Sequence, residues 1–197
     1  MRRLATAFLM TLALGGAACS STDGSTGDGG GGGGGGGGTD LAMSTGNADV
    51  DAWLAAHNGV RSGAMPAPSP ALPALTWNAA AAQVAATWAA GCNFSHNNGR
   101  GNYGENIYAN TGSSATPSGV VSSWASEAAN YDYANNSCAT GKVCGHYTQL
   151  VWRATTSVGC AIQSCTANCP FSRCVNGSWN LVVCDYSPPG NSGGRPY

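Results

Sequence analysis

The chain has 197 residues, of which 9% are charged, and a formal net charge of −1. From residue 47 onward six acidic side chains (Asp49, Asp51, Glu105, Glu127, Asp132, Asp185) balance six basic ones (Arg61, Arg100, Lys142, Arg153, Arg173, Arg195). With no basic patch and no charge run, the balance argues against nucleic acid as a partner and against steering to an anionic surface.

Residues 1–18 read as a secretory signal peptide. Arg2 and Arg3 precede an apolar run from Leu4 to Leu14, and small residues follow. The run is too short to span a bilayer. Cys19 comes directly after Ala17 and Ala18, as at the lipidation site of a bacterial lipoprotein, with Gly16 where an aliphatic residue is usual. Lipidation of Cys19 is one reading; plain secretion with a free or discarded Cys19 is the other. Residues 19–46 are rich in Gly, Ser and Thr, with an unbroken glycine run from Gly29 to Gly38, and read as a flexible tether. The expected location is outside the cell or in the cell envelope, with membrane contact only through the N-terminal anchor. Residues 47–197 suffice for one domain with its own core.

Within that domain Val50, Leu54, His57 and Arg61 recur on one helical face. Asp49 and Asp51 sit near the helix start, where they complement its dipole. A proline-rich loop (Pro66, Pro68, Pro70, Pro73) follows. Trp77, Ala81, Val84 and Trp88 mark a second helical face, ended by Gly91. Thr116 and Pro117 make a cap and a first-turn proline for a third helix with the face Val120, Trp124, Glu127, Tyr131. Gly145 and His146 begin a further helical segment, with His146, Gln149 and Leu150 on one side. "SVGCAIQSC" and "SWNLVVCDY" read as strands joined by a cysteine-containing loop. Helices mostly first and strands late predict an α+β layered domain.

The cysteines bear on compartment and chemistry. Setting Cys19 aside leaves eight, consistent with four disulfides in an exported chain. A zinc knuckle around Cys165, Cys169 and Cys174 is the rival reading, which an oxidising compartment disfavours. Gly99, Gly101 and Gly104 match a dinucleotide-binding spacing, but no strand precedes them and no βαβ unit follows. No serine lies in a nucleophile-elbow context and no H-E-x-x-H occurs.

The rare residues are more informative. The chain has two glutamates, Glu105 and Glu127, and three histidines, His57, His96 and His146. Glu127 shares a predicted face with Trp124, an expensive place for an ionised carboxylate without a partner. Two roles stand for it: a site residue, or a structural acceptor of backbone N–H groups. His57, with Asn58 and Arg61, suggests a buried polar network.

"HNGVR" (57–61), "YGENIY" (103–108), "WASE" (124–127), "CGHYTQLVW" (144–152) and "NLVVCDYSPPGN" (180–191) occur in one order. That order resembles the CAP superfamily of cysteine-rich secretory proteins, venom antigen 5 and plant pathogenesis-related protein 1. The resemblance extends over 47–197, including the terminal "RPY". It implies a three-layer α-β-α sandwich with a central antiparallel sheet, and a cleft lined by His96, Glu105, Glu127 and His146. His57 and Arg61 are structural in that pattern. The implied bridges are Cys92–Cys165, Cys138–Cys144 and Cys160–Cys184, leaving Cys169–Cys174. Two imidazoles in such a cleft suit a divalent metal such as zinc, with the glutamates orienting the imidazoles or holding metal-bound waters. The resemblance allows a sterol or other lipid, or a surface partner, as the ligand, with Tyr108, Tyr131 and Tyr133 as candidate contacts. The first expectation is therefore a metal-responsive binding module. An exported scaffold with a structural tetrad comes second. A metal-dependent hydrolase with Glu127 as general base comes third, since a nucleophile and a third protein ligand are both missing.

Overall fold

The computed structural model describes residues 46–112 and 114–197. The expected signal peptide, Cys19 and all of the expected tether except Gly46 lie outside the described residues.

Helix α1 spans Ala48–Ser62, and the Asn47 side chain caps it by accepting from Asp49 N and Val50 N. Its buried seam is Trp53, His57 and Arg61, spaced i, i+4, i+8. Val50 and Leu54, expected on that face, are only half-buried. The larger Trp53 ring takes the core position. Strand β1 (Thr76–Trp77) follows, then α2 (Ala79–Ala89), capped by Asn78. Trp77 therefore precedes the second helix and is not on its face. The seam of α2 is Ala81, Ala85 and Ala89, with Val84 and Trp88 half-buried at its sides.

An alanine seam lets a helix lie close to a sheet, and here it does. A Cβ at Gly159 would sit 2.1 Å from Ala82 N and 2.4 Å from Asn78 O. That sheet has the order β1-β5-β6-β2. Strands β2 (Gly104–Thr111), β5 (Ser157–Cys165) and β6 (Trp179–Ser187) are antiparallel, whereas the short β1 joins β5 in parallel. Strand β2 was not legible as a strand, because Gly, Asn and Thr interrupt its apolar positions.

Successive residues of β6 face opposite layers. Leu181 and Val183 pack with Ala85, Ala89 and Trp179, the α2 layer. Val182, Cys184 and Tyr186 pack with Trp53, Val120, Trp124 and Leu150, the second layer. That second layer comprises α1, α3 (Pro117–Ala125) and α4 (Gly145–Leu150). The result is a three-layer α-β-α sandwich. Helix α3 is capped by Thr116 as expected, but it ends two residues before Glu127. Glu127 belongs to a 3-10 turn, Ser126–Asn130, and Tyr131 opens β3 (Tyr131–Asp132), which pairs with β4 (Ser137–Cys138).

Four disulfides close the domain: Cys92–Cys165, Cys138–Cys144, Cys160–Cys184 and Cys169–Cys174. Arg61 is 1% exposed and serves as an internal clamp. Its guanidinium donates to the carbonyls of Pro73, Leu150, Trp152 and Thr155.

Candidate functional site

Two histidine–carboxylate pairs flank β2, the edge strand of the sheet. On the α2 side, residues 91–103 form a loop held at its base by Cys92–Cys165. The indole N–H of Trp88 donates to Ser95 O, and Arg100 donates to Asn97 O and Tyr103 O. The loop so shaped presents His96, whose Nδ1 lies 2.7 Å from Glu105 Oε1. The same oxygen accepts Asn97 N at 2.9 Å. The Glu105 side chain is fully buried, while that of His96 is half exposed.

On the other side, Glu127 faces the start of α4. Its Oε2 accepts the backbone N–H of His146 and Tyr147, and its Oε1 lies 2.6 Å from His146 Nδ1. A carboxylate there satisfies amides left open at a helix start. Trp124 stacks on the His146 ring, centroids 6.1 Å apart and planes 14° apart, and donates its indole N–H to Ile107 O. Asn106 Nδ2 donates to His146 O, tying β2 to α4. Glu127 thus fills the structural role weighed for it and holds an imidazole at the same time.

The two pairs share one chemistry. A carboxylate only accepts, so each Nδ1 is the N–H and each neutral ring keeps its lone pair on Nε2. That is the tautomer a carboxylate-held histidine offers to a metal ion. No three of the four tetrad residues bring ligand atoms within 4.8 Å of one another.

A different trio, His57, Cys160 and Cys184, does converge within 4.8 Å among the described residues. It is no metal centre, because the two sulfurs are bonded to each other. His57 is also fully committed: Nδ1 donates to Trp53 O at 2.8 Å and Nε2 accepts from Tyr186 OH at 3.0 Å. Burial, and to a lesser degree the Arg61 charge, outweigh the bond to Trp53 and lower its pKa to about 4. His57 is a structural, neutral imidazole.

Sequence reasoning left Asp185 as one alternating position in a strand. It is fully buried and lies opposite Glu105 across the β2–β6 pairing. Burial, then the Glu105 charge, push its pKa up to about 7 against the pull of Arg100. Neither Asp185 oxygen, nor Glu105 Oε2, has a hydrogen-bond partner. The available signal was a lone acid inside the apolar run "LVVCDY".

An apolar groove of about 750 Å³ runs between α1 and α3. Ala56, Val60, Ala64, Met65, Val121 and Ala125 line it, and Met65 is 74% exposed. Tyr147 reaches it, whereas Tyr108, Tyr131 and Tyr133 do not line it.

These features define a disulfide-closed α-β-α sandwich with a histidine–carboxylate pair on each side of its edge strand. The chain belongs to the cysteine-rich secretory protein (CAP) family, whose model matches residues 54–186. It is 41% identical to a pathogenesis-related protein of PR-1 type from Sambucus nigra over 147 residues, 72% of this chain and 78% of that protein. It is 40% identical to pathogenesis-related protein 1A of Nicotiana tabacum, over 74% of this chain and 79% of the relative. Among solved structures it is similar to venom allergen-like protein 4 of Schistosoma mansoni, with a TM-score of 0.59 and 27% identity over 77% of this chain and 94% of that one. It is also similar to NaASP2, crystallised with Zn2+, with a TM-score of 0.58 and 25% identity over 80% and 88% of the two chains. Four disulfides fit the oxidising surroundings of an exported protein.

Proposed function

We propose that this domain is an exported binding module whose cleft takes a divalent ion such as zinc through His96 and His146. The supporting observation is the pairing of each imidazole Nδ1 with a glutamate, 2.7 Å for His96 and 2.6 Å for His146. Each Nε2 is thereby left as a metal-type donor. The ion would supply a positive centre that water or an anionic group can join. Glu105 and Glu127 orient the rings and balance charge. The similarity to NaASP2, crystallised with Zn2+, is in keeping with this reading.

Thermal unfolding with and without zinc tests it. Binding to the folded state alone stabilises it by about 2.7 kcal/mol at one hundred times Kd. The wild type should gain Tm with zinc and lose that gain with chelator, and the variant carrying His96→Ala and His146→Ala should show no gain. Equal zinc-dependent shifts in both would remove the cleft as the site.

The groove between α1 and α3 supports a second ligand, an apolar lipid chain, because its lining residues carry no charged side chain. A fluorescent fatty acid should bind the wild type and lose at least tenfold in affinity on Ala125→Trp, which fills the groove. Unchanged affinity would place the lipid elsewhere. Attachment to a membrane through a lipidated Cys19 belongs to the same reading. Mass spectrometry of the protein from its native host tests it: an unmodified or absent Cys19 would refute it.

A further inference from the structure

Helix α2 is alanine at every position from Ala79 to Ala89 except at Gln83, Val84, Thr87 and Trp88. Alanine on its inner seam follows from the close approach to β5. The four exceptions stand at i, i+1, i+4 and i+5, so they form one patch on the helix surface. All four line the same pocket of about 360 Å³, which Asn97 and Gly99 of the 91–103 loop complete. The helix departs from alanine only where it walls this pocket.

Trp88 packs in part against the buried cluster of Ala85, Ala89 and Trp179. Its indole N–H donates to Ser95 O at 2.8 Å, which fixes the ring. Thr87 Oγ1 donates to Gln83 O at 2.8 Å and lies 3.4 Å from Gln83 Nε2. Gln83 Oε1 has no partner among the described residues. Asn97 is 8% exposed. Its N–H donates to Glu105 Oε1, its carbonyl accepts from Arg100 Nη1, and its Oδ1 accepts from Gly99 N. That leaves Nδ2, a donor with no partner among the described residues, on a side chain in the pocket wall. A buried amide donor is costly unless something accepts from it, and the pocket is where an acceptor can arrive.

We infer that this pocket binds a neutral pyranose sugar, stacked on Trp88 and held by Gln83, Thr87 and Asn97. A pyranose ring has an apolar face of C–H groups and a rim of hydroxyls. The slightly positive C–H groups suit the negative face of an indole. Hydroxyls both donate and accept, so they match a free amide N–H at Asn97, a free amide oxygen at Gln83 and the Thr87 hydroxyl. None of the six lining residues is charged, so the wall offers no counter-charge to a phosphate, sulfate or carboxylate. Arg100, the cation of the loop, directs Nε and Nη1 to Tyr103 O and Asn97 O. The volume is at the low end of the usual range for small ligands, about 300–1,000 Å³. A longer oligosaccharide would leave its ends in solvent. The site uses neither His96 nor His146, so it does not depend on an ion in the cleft.

NMR titration of the 15N-labelled protein tests it, with a chelator present so that no metal ion contributes. The probes are soluble tetrasaccharides of β-1,4-linked glucose, β-1,4-linked N-acetylglucosamine and α-1,4-linked glucose. Adenosine, a flat ring that would also stack on an indole, is the comparison. At least one sugar should shift the Trp88 indole N–H and the Asn97 side-chain amide together, and should bind more tightly than adenosine. Trp88→Ala should then lose about tenfold in affinity, the size expected for one stacked ring. Gln83→Ala, at an exposed position, should weaken the same sugar. The absence of any sugar-dependent shift, shifts confined to other residues, or tighter binding of adenosine would overturn the inference. An affinity unchanged by Gln83→Ala would overturn it too, and that variant decides the matter if Trp88→Ala does not fold.

Discussion

His57 and Asp185 are both buried, and each holds its uncharged form, but they couple stability to pH with opposite signs. His57 has a folded pKa of about 4 against an ordinary 6.5. Between those values the unfolded chain binds a proton that the folded chain does not, so stability falls as pH falls through that window. Asp185 has a folded pKa of about 7 against an ordinary 3.8. The folded chain there holds a proton that the unfolded chain has released, so stability falls as pH rises. Each slope approaches about 1.4 kcal/mol per pH unit. The two largely cancel between about pH 4 and 6.5. Urea midpoints across that range should therefore reveal one group when the other is removed. Asp185→Asn should become more stable with rising pH, and His57→Gln less stable. Matching flat profiles in both variants would contradict the assignment.

At the scale of elements, α2 and the sheet depend on small residues at their contact. The seam Ala81, Ala85, Ala89 meets β5 where Gly159 leaves room for the backbone of α2. Gly159→Ala would place a methyl 2.1 Å from Ala82 N, backbone that cannot rotate away as a side chain would. We expect a loss of about 3 kcal/mol or more in chemical denaturation. Helix α2 would move off β5 and disturb the Asp185–Glu105 row beside it. A variant as stable as the wild type would show that α2 shifts freely. Helix α3 teaches a related lesson. Extending its helical period to Glu127 and Tyr131 puts both on the Trp124 face, but the chain leaves the α-helix after Ala125. The tighter 3-10 turn carries Glu127 to the amides of His146 and Tyr147. Tertiary hydrogen bonds to a charged carboxylate outweigh a few tenths of helix propensity per residue.

Across the whole domain, the disulfides differ in how much chain they constrain. Cys92–Cys165 closes a separation of 73 residues, and Cys169–Cys174 one of 5. Loop entropy predicts about 4 kcal/mol for the first and about 2 kcal/mol for the second. Replacing Cys92 and Cys165 by serine should therefore lower the urea midpoint about twice as far as replacing Cys169 and Cys174. The reverse order would mean that unfolded-state structure dominates. The long bridge also ties the His96 loop to the end of β5, so its loss should weaken the proposed zinc binding along with stability. The short bridge lies in the loop between β5 and β6 and should leave the proposed zinc binding alone.

The sequence by itself determined the α+β class, the starts of α1 and α3, and strands β5 and β6. Caps, a first-turn proline and alternating apolar residues act locally, and local physics is written along the chain. Ordered motifs carried the family. Scarcity drew attention to Glu105, Glu127, His96 and His146, since a chain this poor in charge has few reasons to place carboxylates among apolar residues. Only the tertiary structure decided which imidazole takes which carboxylate, that the two pairs lie on either side of an edge strand, and that Asp185 stands opposite Glu105. It also put Trp53 in the core in place of Val50 and Leu54, and drew β2 from a segment with no clear period. These outcomes depend on strand register and on the close approach of α2. Both are set by contacts between residues far apart in sequence, where hydrogen-bond completion and packing override local preference.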